Sequence, residues 1–299
     1  MNILSLFDGI SCCRESLKQC NIKVDNYFAS EIEESSIRIA MKNHPDIIQL
    51  GDVTSVTKTS LPKINLLAAG SPCQGFSNLG KRTNFEHDES KLFFEFVRLL
   101  EELKPDYFFL ENVRLKAEWR DMITSYVKVK PRLIDSKYYS AQRRSRYYWT
   151  NIPFMNLVCD NNLYIKDIVN EEIDRNNTFI KGSSYEFVSK HNLKEVAVLV
   201  KTVYNFDINN RKDTLYKNLI PLQSKAPCIV TVNSPIIWGG QYYYINGRFR
   251  LPTLIELERL QTLPDNYTEC EGIKKHERMA AIGNCWTVNT INQFFSFFR

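Results

Sequence analysis

The sequence predicts an α/β fold: a doubly wound sheet flanked by helices, followed by a smaller and loopier region. Three observations predict it. Short strand-like runs alternate with helix-like stretches through the first half of the chain. Those runs are apolar almost throughout rather than at every second position, as strands covered on both faces require. The alternation then fades after about Pro153, where Asn, Lys and Tyr are frequent and periodicity is weak.

The elements follow in order. NILSLF (2–7) is the first strand and SCCRESLKQC (11–20) has helical spacing after it. NYFASE (26–31) is a strand, EESSIRIAMKNH (33–44) a helix, and DIIQLGD (46–52) and INLLAAGSP (64–72) two more strands. ESKLFFEFVRLLEELKP (89–105) is an amphipathic helix: Leu92, Phe93, Phe96, Leu99, Leu100 and Leu103 share a face, and Pro105 stops it. DYFFLEN (106–112) is a buried strand, and PRLIDSKYY (131–139) and RYYWTNI (146–152) complete the set. Residues 156–247 form the second region. TLIELERLQTLP (253–264) is helical, with Leu254, Leu257, Leu260 and Gln261 at helix spacing. WTVNTINQFFSFFR (286–299) is an apolar helix whose Phe294, Phe295, Phe297 and Phe298 are expected to pack on the first region.

Composition sets outer limits. With 299 residues, 43% of them hydrophobic, the chain can bury a sizeable core. Asp8 breaks the apolar run at the start, and no uncharged run approaches the roughly 20 residues of a membrane span. A soluble, intracellular protein is expected. The eight cysteines form no C-x-x-C pair and the four histidines are scattered, so neither a structural zinc site nor a disulfide framework is expected. A net charge of +5 permits a nucleic-acid partner without demanding one.

In an open α/β sheet, ligands bind beyond the carboxyl ends of the strands. The first strand here runs into Phe7-Asp8-Gly9-Ile10, the second into Glu31-Ile32 and the third into Asp52-Val53. The fourth ends in Ser71-Pro72-Cys73 and the fifth in Glu111-Asn112. A glycine turn after the first strand lets backbone approach a ligand closely. A carboxylate about 20 residues on can hold the two hydroxyls of a ribose, and Asp52 is placed to meet an adenine amino group. The turn lacks the later glycines that cradle a pyrophosphate, so a nucleoside cofactor without phosphates, such as S-adenosylmethionine, suits it better than NAD.

Cys73 taken alone reads as a buried thiol. It differs from the other cysteines in following a strand end on the cofactor rim, with Glu111 on the next strand as a partner acid or base. QRRSR (142–146) adds Arg144 and Arg146, suited to holding a base carbonyl or phosphates. Together these residues read as a nucleophile with its supports.

LFDGIS, GSPCQGFS, ENV, QRRSRYYW, RFRLPTLIELERLQTLPD and AIGNCWTV, in this order along nearly the whole chain, resemble the motifs of the DNA (cytosine-5) methyltransferases. The resemblance implies a Rossmann-like, S-adenosylmethionine-dependent methyltransferase domain over 1–155 plus 275–299 and a target-recognition domain over 156–274. It implies methyl transfer to carbon 5 of a flipped-out cytosine in a short duplex DNA sequence, through a covalent Cys73 adduct at carbon 6. Glu111 would hold the N3 edge, and Arg144 and Arg146 would orient the base and the loop, Arg146 at O2. Phe7, Asp8, Gly9, Ile10, Glu31, Ile32, Asp52, Val53, Pro72, Asn284 and Trp286 would line the cofactor site, which releases S-adenosylhomocysteine, and no metal is implied. Gln74 to Ser90 resembles a mobile loop, with Gly75 and Gly80 as hinges and Gln74, Ser77, Leu79, Lys81 and Arg82 against DNA. A monomer acting wherever genomic DNA lies, of the prokaryotic or phage type that can accompany a restriction enzyme, is expected.

Two residues depart from the family pattern. Cys12 and Cys13 follow the first turn where a further glycine is usual, and Cys13 is expected to begin a helix and point into the core. Cys285 stands where Ser is frequent. Two other functions share the scaffold. A tRNA cytosine C5 methyltransferase usually carries a Cys-Phe-Thr segment, which is absent here. An inactive DNA-binding regulator would lack the Pro-Cys or Glu-Asn-Val residues that this chain keeps.

Overall fold

A computed structural model describes residues 1–70, 88–153, 160–169, 196–203, 214–229, 241–245, 248–250 and 252–299. In chain order the first region comprises β1 (Asn2–Leu6), α1 (Cys12–Gln19), β2 (Asn26–Ser30), α2 (Glu34–Asn43), β3 (Ile47–Gln49) and β4 (Leu66–Gly70). It continues with α3 (Asp88–Leu103), β5 (Tyr107–Val113), α4 (Ala117–Val127), β6 (Arg132–Asp135) and β7 (Ser145–Thr150). The seven strands form one sheet in the order β3-β2-β1-β4-β5-β7-β6. The first five run parallel, and β7 lies antiparallel between β5 and β6.

Each strand contributes to two cores because alternate side chains leave opposite faces. Ile3, Tyr27, Ala29, Leu66, Ala68, Phe109 and Tyr148 pack one face under α1 and α2. Leu4, Leu6, Phe28, Leu67, Ala69, Phe108, Leu110 and Trp149 pack the other under α3 and α4. In α3, Phe93, Phe96 and Leu99 are buried while Leu92, Leu100 and Leu103 flank them. The helix ends at Leu103, where Lys104 turns left-handed (φ 47°) ahead of Pro105.

Beyond the first sheet lie α5 (Ile165–Ile168), β8 (Val196–Val203), β9 (Thr214–Pro221), β10 (Gln241–Ile245), β11 (Arg248–Arg250) and α6 (Leu254–Leu260). The four strands make an antiparallel sheet in the order β11-β10-β8-β9, in a stretch where the sequence offered no clear periodicity. A capping box opens α6: Glu256 N donates to Thr253 Oγ1 at 3.2 Å, and Thr253 N donates to Glu256 Oε2 at 2.7 Å. Ile165, Ile168, Leu222, Ala226, Leu257 and Leu260 build a third core with Ala141 and Ile282.

The chain then returns to the first sheet through α7 (Lys275–Asn284) and α8 (Val288–Phe295). Leu263 and Tyr267, which the sequence places in the smaller region, are buried in the first core. The buried Glu258 carboxylate holds that return by accepting from Asn266 N at 2.7 Å and Thr268 N at 2.8 Å. Phe294 and Phe295 close the first core over Ile3 and Phe109, as expected, while Phe297 is 44% exposed.

Candidate active site

The carboxyl ends of β1, β2, β4 and β5 share one edge of the sheet. Phe7, Gly9 and Ser11 all take left-handed backbone, with φ of 55°, 58° and 60°. Two of the three carry side chains, a strained combination that surrounding bonds must hold in place. Gly9 N donates to Glu31 Oε2 at 2.8 Å, while Ile32 N and Glu33 N donate to Glu31 Oε1 at 2.8 and 2.9 Å. Glu31 thus ties the end of β2 to the turn after β1. Among the described residues no atom beyond its chain neighbours lies within 4 Å of where a Cβ on Gly9 would stand, which leaves space beside the turn. Ile32 is 76% exposed at the rim of that space, and Asp52 is exposed, its Oδ1 accepting from Thr54 N at 2.9 Å. Phe7 packs its ring at the margin of the second core, and Asn284 is exposed at the end of α7.

Three residues expected to line the cofactor turn their side chains inward. Asp8 accepts from Tyr27 OH at 2.7 Å and from Ser11 Oγ, and burial pushes its carboxyl up to about 6. Ile10 is 1% exposed in the first core and Val53 4% exposed in the second, so both present only backbone to the rim. Cys12 and Cys13 are buried in the first core, Cys13 as the second residue of α1. Cys12, hydrogen-bonded to Cys285 and buried, and Cys13, through burial, both have thiols held well above the usual range.

Glu111 lies opposite Gly70 in the β4–β5 register, at the strand end that Ser71-Pro72-Cys73 follows in sequence. It is 8% exposed. Arg146 Nε stands 3.1 Å from Glu111 Oε1, and Trp286 Nε1 donates to Glu111 Oε2 at 3.1 Å. The antiparallel β7 makes this possible by pairing Arg146 with Val113, two residues past Glu111 on the same face. A carboxylate offers about four acceptor positions. Among the described residues Arg146 and Trp286 engage one oxygen each, which leaves Glu111 acceptor positions for a ligand.

Arg144 differs from expectation. Its guanidinium is buried and donates to Ile229 O at 3.2 Å, Gly283 O at 3.2 Å, Cys285 O at 3.0 Å and Cys228 Sγ at 3.3 Å. The Gly283 and Cys285 carbonyls are available because α7 ends at Asn284. Arg144 therefore fixes the turn that delivers Trp286. Trp286 in turn is an anchor of Glu111, a role the sequence did not suggest. A buried amide network supports the same turn: Gln142 Nε2 donates to Gln261 Oε1 at 2.8 Å, and Gln261 Nε2 to Ile282 O at 2.9 Å.

Pro72, Cys73, Gln74, Ser77, Leu79, Lys81 and Arg82 lie outside the described residues, as do the expected hinges Gly75 and Gly80. At the far end of that expected loop, Asp88 to Ser90 belong to α3. No helix among the described residues is long and apolar enough to cross a membrane.

A mixed seven-stranded sheet in this order, with an open turn after β1 and anchored carboxylates after β2 and on β5, defines the Rossmann-like methyltransferase class. Within that class the chain belongs to the C-5 cytosine-specific DNA methylases, whose family model matches residues 1–296. The Type II methyltransferase M.NgoBV of Neisseria gonorrhoeae is 36% identical over 117 residues, 38% of this chain and 28% of that protein. The orphan methyltransferase M.Rho11sI of Bacillus phage rho11s is 36% identical over 116 residues, 38% of this chain and 23% of that protein. The chain thus matches about a quarter of the length of these curated relatives. In fold it is similar to the Entamoeba histolytica methyltransferase EhMeth, with a TM-score of 0.72 at 18% identity over 100% of this chain and 97% of that one. It is likewise similar to S. pombe Dnmt2 methyltransferase, with a TM-score of 0.70 at 16% identity over 99% and 97%.

Proposed function

We propose that this protein transfers a methyl group from S-adenosylmethionine to carbon 5 of a cytosine flipped out of duplex DNA. The observation that carries the reading is Glu111: a nearly buried carboxylate, oriented by Arg146 and Trp286, in register with the strand end that leads to Pro72-Cys73. Family membership supplies the substrate class.

Carbon 5 of cytosine is a weak nucleophile. In this reading the Cys73 thiolate adds to carbon 6, and the displaced electron pair makes carbon 5 enamine-like. Glu111 holds the N3 edge and supplies a proton there, so charge does not build up on the ring. Arg146 lies beside Glu111 and contacts the base at O2. Carbon 5 takes the methyl group and then loses its proton to solvent; that electron pair re-forms the 5–6 double bond and expels Cys73 as thiolate, and N3 returns its proton to Glu111. Bound S-adenosylmethionine supplies an electrophilic sulfonium methyl. The residues around the turn suit such a group: Gly9 borders open space, Glu31 is fixed for a ribose, Ile32 offers an uncovered apolar face, and Asp52 is exposed. Phe7, Pro72 and Asn284 complete that site. The division into a catalytic part, 1–155 with 275–299, and a recognition part, 156–274, belongs to the same reading, with base edges read in the major groove.

The test is base-resolution mapping of 5-methylcytosine in the DNA of a methylation-free host expressing the protein, beside a Cys73→Ser control. Methylation at one recurrent short motif, absent from the control, is expected. Unmethylated DNA with methylated host tRNA would overturn the DNA reading in favour of the tRNA one.

A further inference from the structure

A row of buried polar groups runs beneath the turn after β1 and has no part in the chemistry above. Tyr267 OH donates to Ile10 O at 3.0 Å, across 257 residues of sequence. His44 Nε2 lies 3.1 Å from the same hydroxyl. Since the hydroxyl gives its one proton to Ile10, it accepts from His44. Glu15 Oε2 stands 3.4 Å from His44 Nε2, and Glu15 Oε1 accepts from Gln19 at 2.9 Å. All three side chains are buried. Burial pushes the Glu15 carboxyl up, but the neighbouring His44, the hydrogen bond from Gln19 and the nearby Lys18 outweigh it and hold the group below its usual range.

Ile10 lies between Gly9 and Ser11, two of the three left-handed residues. The bond to its carbonyl fixes the peptide that joins Ile10 to Ser11, close along the chain to the Gly9 N–H that meets Glu31. A second tyrosine, Tyr27, holds the turn from the other side through Asp8. Ser11 holds left-handed backbone while carrying a side chain, so the turn needs such clamps more than a glycine would.

We infer that Tyr267 is a positioning residue for the cofactor turn, oriented by His44, so that the segment following α6 sets the affinity for the cofactor. The inference rests on the S-adenosylmethionine reading above. It also links the two parts of the chain, because residues 262–273 are the return path from the smaller region and are fixed there by Glu258 and Arg278.

The experiment is calorimetric titration of S-adenosylhomocysteine into wild-type protein, Tyr267→Phe, His44→Gln and His44→Leu, with the melting temperature of each ligand-free protein. Loss of one hydrogen bond that holds a site should weaken binding about five- to tenfold in Tyr267→Phe. His44→Gln, which keeps an N–H donor, should bind within about twofold of wild type, and His44→Leu should match Tyr267→Phe. In turnover, Tyr267→Phe should raise KM for the cofactor and leave kcat and KM for DNA nearly unchanged. Unchanged binding by Tyr267→Phe overturns the inference, as does a loss of binding that merely tracks a lowered melting temperature across all variants. Wild-type protein that binds no S-adenosylhomocysteine overturns the cofactor reading itself, and this inference with it.

Discussion

Trp286 lies so close over Gly70 that a Cβ there would stand 2.7 Å from the indole Nε1, the atom that donates to Glu111. Glycine at the end of β4 is thus a condition for holding the candidate acid. Phe109 packs edge-on to the indole at 5.4 Å between centroids and limits its retreat. Gly70→Ala should therefore displace Trp286 and break the 3.1 Å bond. We expect a loss of about 1–3 kcal/mol in stability and a fall in kcat with little change in cofactor affinity, measured by urea denaturation and steady-state kinetics.

Glu111→Gln keeps the shape of the side chain and an acceptor for Trp286 but removes the charge facing Arg146 and the proton that N3 would receive. We expect kcat to fall by about 10²–10⁴, with S-adenosylhomocysteine binding retained. A variant with kcat within a few-fold of wild type would remove Glu111 from the acid–base role.

Arg144 donates to three backbone carbonyls and a thiol in a buried site. Arg144→Met removes a donor from all three carbonyls. Cys285 O and Ile229 O keep weaker ones from Gln261 Nε2 and Cys228 Sγ, whereas Gly283 O loses its side-chain donor, and a buried orphan costs about 1–3 kcal/mol. We expect a strongly destabilised protein, and Trp286 fluorescence in the surviving folded fraction should shift as its turn relaxes. A melting temperature equal to that of wild type would contradict the anchoring role.

Asp8 gives stability a pH dependence of a particular sign. Burial raises its carboxyl from 3.8 to about 6, against opposing hydrogen bonds from Ser11, Ser5 and Tyr27. Between those values the folded chain binds this proton more tightly than the unfolded chain does. The resulting stabilisation is complete below about pH 4 and is lost as pH rises through 6, a swing of up to about 3 kcal/mol. Asp8→Asn should remove this component, so the stability difference between variant and wild type should grow from pH 4 to pH 7. Parallel curves in denaturation across that range would show that Asp8 ionises freely.

Much of the first sheet was legible because its strands are buried on both faces and read as continuous apolar runs. LLAAG and FFLEN could hardly be anything else once helices flank them. The direction of β7 was not legible, because a strand's own residues do not record which neighbour it meets. Helices α4 and α7 escaped notice for a related reason: each buries few residues and carries charges on several sides. In the smaller region, β8 pairs with β9 and β10 across longer connections, so its signal lies in partners rather than in local period, whereas β10 and β11 are neighbours in sequence and their pairing was simply missed. At the site, Glu31 and Glu111 could be read from strand ends. Trp286 on Glu111 and Tyr267 on the Ile10 carbonyl could not, since they come from 175 and 257 residues away.

The distance along the chain between Glu111 and Trp286 has a consequence for biosynthesis. Glu111 leaves the ribosome 175 residues before the indole that holds it, a delay of roughly ten to forty seconds at ordinary elongation rates. Over the same interval β1 and β5 lack Phe294 and Phe295, which cover Ile3 and Phe109 in the finished core. A nascent chain therefore carries its motifs well before it can use them. Helices α1 and α2 can already cover part of that sheet face, but the part that Phe294 and Phe295 fill stays incomplete until the last helix arrives.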